Sequence, residues 1–327
     1  MEITVINVGY GDALLLETGE GCRLLLDGGS ALAEEFDGDP YRIRAAEYLE
    51  RRGIRRLDAV VISHIHEDHV CGLEAVLDRA AVGHLYVPYP VEPFLAGSWL
   101  QAGAGAARSV PLYTAALNAY RRILLRAQAA GIPVTRLAAG DQLALGTDAA
   151  MQVLAPERGV VDDYMALVEE AYRSADDPET VTGCLTRLDA MSNRTSLLLR
   201  FTLGKTVFLS AADSCPGEWT AVPKNLLENV NVLKLPHHGQ IDSISEHLME
   251  KMPLAYVITT ASSDRRYNSA NEGVYRRLSS LFPPERVPRF LFSDEREYPP
   301  YFARPEGFQA IQLVMDSDRI TPEFIKI

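Results

Sequence analysis

Residues 57–69 read Leu-Asp-Ala-Val-Val-Ile-Ser-His-Ile-His-Glu-Asp-His, and the interpretation of the whole chain starts from this stretch. The run Leu57–Ser63 is short and mostly apolar, which is typical of a buried strand in an α/β protein. Four candidate metal ligands follow it within six residues: His64, His66, Asp68 and His69. Since the chain has only seven histidines, three of them in six positions indicate a metal site rather than a polar surface loop.

The spacing of these ligands predicts two metal ions. In an extended turn, residues two apart point to one side, so His64 and His66 can share one ion. Asp68 and His69 follow where the chain bends back, and they can bind a second ion. Imidazole nitrogen and carboxylate oxygen suit Zn2+ best, with Mn2+ or iron as alternatives.

A second histidine pair follows another aliphatic strand. Val230–Leu235 leads into Pro236-His237-His238-Gly239. Paired histidines at a strand end predict one more metal ligand and one neighbour that faces the substrate. The sequence leaves their order open, and we take His237 as the ligand and His238 as a hydrogen-bond donor to the substrate.

Other strand ends carry weaker signals. Asp213 follows an apolar strand and could bridge two ions, although strand-end aspartates are common caps. Asp27 follows Leu24–Leu26 and is expected to orient a ligand histidine by accepting its hydrogen bond. Asn193 lies in the turn Ser192–Ser196 and could reach the site as a donor to the substrate.

Composition narrows the class of protein. The 327 residues carry a formal charge of −12 and are 47% hydrophobic, which fits a folded globular protein. The acidic balance argues against a long nucleic acid as partner. No apolar run reaches the roughly 18 residues of a membrane span, and the four cysteines form no CxxC pair. Met1–Thr4 lacks signal-peptide features, so a cytoplasmic location is the expectation.

The order of elements predicts one α/β domain, residues 1–327, with helices outside a packed pair of sheets. One segment stands apart, and we name Glu157–Ala190 the acidic insertion. It holds nine acidic residues and three arginines, so its net charge of −6 is half of the total. We predict that it is partly helical, around Val161–Tyr172. The Gly- and Ala-rich stretch Gly97–Val110 is predicted to be a loop.

Taken in their order along the chain, the motifs around His64–His69, Asp213 and His237 resemble those of the metallo-β-lactamase superfamily. The hallmark of that superfamily is HxHxDH followed by a bridging Asp and a late His. The resemblance implies an αββα four-layer sandwich with the metals at one edge of the two sheets. The matching stretches are NVGYGDA (residues 7–13), SHIHEDHVCGL (63–73), SNRTSLLL (192–199), LSAAD (209–213) and KLPHHG (234–239). Together they look like the hydrolase domain of ComEC-type competence proteins and the related phosphorylcholine esterase domains.

Two departures from these relatives stand out. Many superfamily members have a third histidine before the strand that precedes the bridging Asp, and the SNRTS turn takes its place here. The first ion would then be held by His64, His66, Asp213 and water. ComEC-type domains also tend to carry a Gly-His-Pro, which Tyr267–Asn271 replaces here without a histidine.

The resemblance implies a metal-dependent hydrolase, and we expect a phosphodiesterase acting on a small or short substrate. Asp68 would orient a metal-activated water, and His238 or Asn193 would donate to a phosphoryl oxygen. Arg194 or Lys234 could add a positive contact. Two alternatives remain: an acyl hydrolase of the lactonase or β-lactamase type, and a non-catalytic metal-binding module.

Overall fold

The computed structural model describes residues 1–294, 297–303, 307–315 and 319–327. The amino-terminal part contains short strands separated by helices. Its strands are β1 (Glu2–Ile6), β2 (Leu14–Glu17), β3 (Arg23–Leu26), β4 (Arg56–Leu57), β5 (Ala59–Val61), β6 (Ala81–Val82), β7 (Leu85–Val87) and β8 (Val134–Arg136). Its helices are α1 (Ala45–Arg51), α2 (Glu67–Val70), α3 (Leu73–Arg79), α4 (Glu92–Ala96) and α5 (Ser109–Ala130).

The carboxy-terminal part supplies all seven strands of the second sheet. Its strands are β9 (Gln142–Ala144), β10 (Ala149–Ala155), β11 (Leu198–Leu203), β12 (Thr206–Ser210), β13 (Val232–Lys234), β14 (Tyr256–Thr259), β15 (Arg289–Phe292), β16 (Glu297–Tyr298), β17 (Phe302–Ala303), β18 (Ala310–Met315) and β19 (Ile320–Ile325). Its helices are α6 (Arg158–Arg173), α7 (Pro178–Ser192), α8 (Glu246–Met249) and α9 (Glu272–Leu281).

Two large sheets form the centre of the molecule. The first has the order β19-β18-β1-β2-β3-β5-β7-β8, and the second has the order β15-β14-β13-β12-β11-β10-β9. Alternate residues of β1 and β2, such as Ile3 and Leu14, are buried in one core with Phe201 and Phe208 of the second sheet. Helices pack outside, so the four-layer αββα sandwich is confirmed. That the chain is a single domain remains a prediction.

The acidic insertion is more helical than predicted, because it consists of α6 and α7. Helix α7 begins with Pro178, and Asp177 caps it by accepting hydrogen bonds from the backbone N–H groups of Glu179 and Thr180. These start signals were present in the sequence. Both helices bury apolar side chains with α5 in the core outside the first sheet, among them Leu167 and Leu188.

The predicted loop after α4 is found between residues 97 and 108, where no helix or strand occurs. Within the described ranges, the structure contains no helix long and apolar enough to cross a membrane.

Candidate metal centre

The predicted ligands come from loops that leave three strands of the two sheets. Residues 64–69 follow β5, Asp213 follows β12, and the histidine pair follows β13. Strands β12 and β13 are parallel neighbours, so their carboxyl ends lie at one edge. The sheets meet at this edge through the backbone N–H of Leu197, which donates to the carbonyl of Ser63 over 3.1 Å.

Two groups of metal-ligating atoms lie at this edge. The first donor set is His64, His66 and Asp213, and the second donor set is Asp68, His69 and His238. In the first, His64 Nε2 lies 3.0 Å from His66 Nδ1 and 3.9 Å from Asp213 Oδ2.

The second donor set is tighter. His69 Nε2 lies 3.3 Å from His238 Nε2, and Asp68 Oδ2 lies 3.0 Å from His238 Nε2. The other oxygen of Asp213, Oδ1, lies 3.4 Å from His69 Nε2 and 3.3 Å from His238 Nε2. Asp213 therefore faces both donor sets, with one oxygen toward each.

The buried carboxylates show that these atoms suit a cation. Asp68 Oδ2 and Asp213 Oδ1 are buried, and neither receives a properly aligned hydrogen bond from the described part of the chain. A buried anionic oxygen without a partner costs several kcal/mol unless a cation is supplied. Carboxylate and imidazole donors at these distances fit a zinc-type ion.

The outer nitrogen of each imidazole supports the same reading. His69 Nδ1 lies 2.9 Å from Asp27 Oδ2, and His238 Nδ1 lies 2.6 Å from the carbonyl oxygen of Thr260. Since those oxygens only accept, the ring proton belongs on Nδ1, and Nε2 is left free to bind a metal. The proton positions follow from this network rather than from observed hydrogens.

The first donor set follows the same rule. Ser63 Oγ donates to Asp27 Oδ2 over 2.6 Å, so it accepts from His64 Nδ1, which is 3.0 Å away. His66 Nε2 lies 3.3 Å from Asp189 Oδ1, which leaves His66 Nδ1 facing His64. Each imidazole nitrogen that faces its donor set can therefore be unprotonated, with a lone pair free to bind a metal.

Without a bound metal, the surrounding charges and burial shift the pKa values of these histidines in different directions. Burial opposes the charged form of His238, but Asp213 and Asp68 outweigh it and raise its pKa to about 9. The same balance raises the pKa of His69 well above its usual value. For His64, burial and the neighbouring His69 lower the pKa well below the usual value.

The positions of the two paired histidines favour roles opposite to those we assigned from the sequence. His238 is fully buried in the second donor set, whereas His237 lies outside both sets. His237 Nδ1 lies 3.2 Å from Asp242, and its Nε2 lies 3.1 Å from Asn193 Nδ2 and 3.0 Å from Gln240 Nε2. We therefore propose His238 as the ligand and His237 as the residue that faces the substrate.

Asn193 lies at the site as expected, beside His237 in the lining of a cavity of about 360 Å³. Asp27 also lies where the sequence analysis placed it, next to His69. Arg194 is half-exposed and pairs with Glu218 at 3.2 Å, outside the residues that line the cavity.

The sequence analysis did not single out Asp12, and it left open whether Lys234 contacts a substrate or only flanks the site. Lys234 Nζ lies 2.5 Å from Asp12 Oδ2, both side chains are fully buried, and Lys234 also donates to the carbonyl of Ala212. Asp12 accepts from Thr260 Oγ1 over 2.5 Å, beside the Thr260 carbonyl that fixes His238. The signal was the NVGYGDA motif, which ends in this aspartate and the following alanine.

The mouth of the cavity is aromatic. The ring of Tyr10 lies 4.4 Å from that of His238, and Tyr267 packs on Tyr10 at 5.3 Å between ring centres. Burial and the nearby charge of Asp68 raise the pKa of Tyr10 well above its usual value, so its hydroxyl stays a donor. Tyr267 stands in the stretch that lacks the Gly-His-Pro histidine.

The chain is similar in sequence to one protein family and to one curated bacterial protein. Residues 6–133 match the family model described as the metallo-beta-lactamase superfamily. The chain is 23% identical over 293 residues to ComE operon protein 3 of Bacillus subtilis, covering 85% of this chain and 30% of that protein. It therefore spans about a third of the length of that relative.

Solved structures with a similar fold share little sequence. YhfI from Bacillus subtilis, a metallo-beta-lactamase fold protein, is 13% identical with a TM-score of 0.48, covering 90% of this chain and 97% of its own. Zn2+-bound PqqB from Methylobacterium extorquens is 8% identical with a TM-score of 0.47, covering 90% and 98%. A diphosphatase from the PhnP family is 14% identical with a TM-score of 0.43, covering 95% and 97%.

Proposed function

We propose that this chain, which has the metallo-β-lactamase fold, is a metal-dependent phosphodiesterase that hydrolyses a small or short phosphodiester. The observation that carries the proposal is the bridging position of Asp213 between two three-ligand donor sets. Two divalent ions, Zn2+ first and Mn2+ or iron as alternatives, would lower the pKa of a water and polarise the phosphoryl group when bound.

The residues of the two donor sets have two proposed roles, metal binding and orientation of the attacking water. His64, His66 and Asp213 would hold one ion, and Asp68, His69 and His238 would hold the other. Asp68 also lines the cavity, where its carboxylate can orient the attacking water.

Polar side chains in the cavity can stabilise charge on the phosphoryl oxygens. Asn193 Nδ2 and Gln240 Nε2 both lie within 3.1 Å of His237 Nε2, so the three form one hydrogen-bonding group facing the cavity. The protonated hydroxyl of Tyr10 is a further donor. Such preorganised donors favour the transition state as negative charge builds.

The substrate is proposed to be small because of size and charge. A cavity of about 360 Å³ accommodates a short molecule. The acidic insertion borders the site through Asp189, which also lines the cavity. Its net charge of −6 should repel a long polyanion.

The test compares substrate classes on one metal-loaded preparation. We expect turnover of bis-p-nitrophenyl phosphate to exceed that of a chromogenic lactam or lactone, to disappear with chelator and to return with Zn2+ or Mn2+. His66→Ala and Asp68→Ala should fold yet lose metal and hydrolysis, while His247→Ala, at an exposed position, is the control. Faster lactam or lactone turnover would establish the acyl-hydrolase alternative. A metal-loaded protein with no turnover on any of these substrates would support a binding module.

A further inference from the structure

The first donor set is held in place by the acidic insertion. Helix α7 ends beside the metal loop, and two side chains of its last turn contact that loop. Asp189 Oδ1 lies 3.3 Å from His66 Nε2. Ser192 Oγ, three residues later on the same face, donates to the carbonyl of Ile65 over 2.7 Å.

His66 needs such support more than the other ligands do. Its ring is part-exposed, whereas His64, His69 and His238 are fully buried. Among the described residues, the aromatic rings that contact His66 are those of His64 and of Tyr113 in α5, the latter at 5.9 Å between ring centres. Without Asp189, the imidazole could turn and take Nδ1 away from His64 Nε2, which lies 3.0 Å away.

The partner of His66 matches the partner of His69. Asp27 accepts from the outer nitrogen of His69 at 2.9 Å, and Asp189 faces the outer nitrogen of His66 at 3.3 Å. A carboxylate in this position fixes the ring and its tautomer and makes the inner nitrogen a better donor. Asp27 belongs to the core sheet, but Asp189 comes from the insertion.

We infer that Asp189 is a positioning residue for His66, and that the acidic insertion thereby completes the first donor set. This inference rests on the proposed metal-dependent function. Asp189 thereby gives the acidic insertion a role in retaining the metal at the first donor set, which contains two histidines rather than three. Carboxylates that accept a hydrogen bond from a metal-bound histidine change metal affinity by about 10- to 100-fold.

The insertion is fixed firmly enough for this role. Tyr164 of α6 forms a hydrogen bond with the Tyr113 hydroxyl, and Tyr89 bonds Thr195 over 2.5 Å just after α7. Thr195 Oγ1 in turn donates to the carbonyl of Ser192 over 2.6 Å. Helix α6 is therefore bonded to α5, and the last turn of α7 is connected to Tyr89 through Thr195.

The experiment measures metal binding rather than activity. Wild type, Asp189→Asn and Asp189→Ala are stripped of metal and titrated with Zn2+ against a chromogenic chelator, and Co2+ spectra are recorded. We expect wild type to bind two ions, and both variants to bind one of them about 10- to 100-fold more weakly. The Co2+ spectrum of the second donor set should be unchanged, which shows that the variants are folded.

The matched control is Asp163→Asn, which removes the same charge from an exposed position of the same insertion. It should leave both affinities unchanged, so that a general charge effect is separated from the contact with His66. Two wild-type affinities in both Asp189 variants would overturn the inference while leaving the proposed function intact. A wild-type protein that binds no metal would instead overturn the proposed function and the inference together.

Discussion

Replacing Lys234 with methionine should destabilise the protein strongly, because it removes the ammonium group that lies directly against the buried Asp12 carboxylate. The ammonium and the Asp12 carboxylate lie 2.5 Å apart, and both side chains are completely buried. Asp12 would keep its hydrogen bond from Thr260 and the more distant ring nitrogens of His238 and His69, at 3.7 and 4.0 Å. The carbonyl of Ala212 would lose its bond from Lys234. Methionine fills a similar volume, so the change tests the charge rather than the packing.

The magnitude follows from the burial of the pair. Removing one partner of a buried ion pair costs about 3–5 kcal/mol. For a chain of 327 residues, the entropy of unfolding per residue converts this loss into a decrease of about 4–7 °C in melting temperature. The double variant Asp12→Asn/Lys234→Met should recover part of this loss, since no unpaired charge remains.

The assay is thermal unfolding of chelator-treated protein, followed by circular dichroism, so that metal binding does not contribute. Lys251→Met is the control, because that lysine is exposed. A Lys234→Met variant that melts within about 1 °C of wild type would refute the reasoning. A double variant whose loss equals the sum of both single losses would show that the two groups are not coupled.

Three other predictions use the same geometry. His238→Ala should lose one of two bound ions while His237→Ala keeps both; metal analysis of the variants decides this, and the reverse pattern would restore our sequence-based assignment. Zn2+ binding at pH 7.5 should release protons, because the raised pKa values of His69 and His238 favour protonated rings without metal. Zn2+ affinity should therefore increase with pH. Calorimetry in buffers of different ionisation enthalpy would detect the proton release. An absence of proton release would contradict it. Gly11→Ala should weaken metal binding, because a Cβ there would lie 2.2 Å from the Asp68 carbonyl oxygen. Gly183→Ala has open space around it in α7 and should stabilise the fold by about 1 kcal/mol. Unfolding and metal titrations of both variants check these two expectations.

Local patterns accounted for much of the fold. The apolar run before His64 contains β5, and the aliphatic run before His237 contains β13. Such short runs are readable because burial on both faces leaves few polar positions. Helix α7 was missed because Thr180, Thr182 and Gly183 are weak helix formers, and its stability comes from packing against α5 and α6.

The order of the histidine pair could not be predicted from its neighbours. His237 and His238 both adopt a left-handed backbone, with φ of 47° and 52°, so neither helical nor strand periodicity describes where their side chains point. Only the position of β13 beside β12 and β14 places His238 against His69 and His237 toward Asn193.

The sequence by itself determined the candidate ligands that are close along the chain, His64 to His69, because their geometry depends on one strand and the turn after it. Only the tertiary structure decided the rest of the site. The contact of Asp213 with His69, the pairing of Asp12 with Lys234 and the contact of Asp189 with His66 join residues more than 100 positions apart. Such contacts depend on how two sheets and an inserted helix pair pack, and no local pattern records that packing.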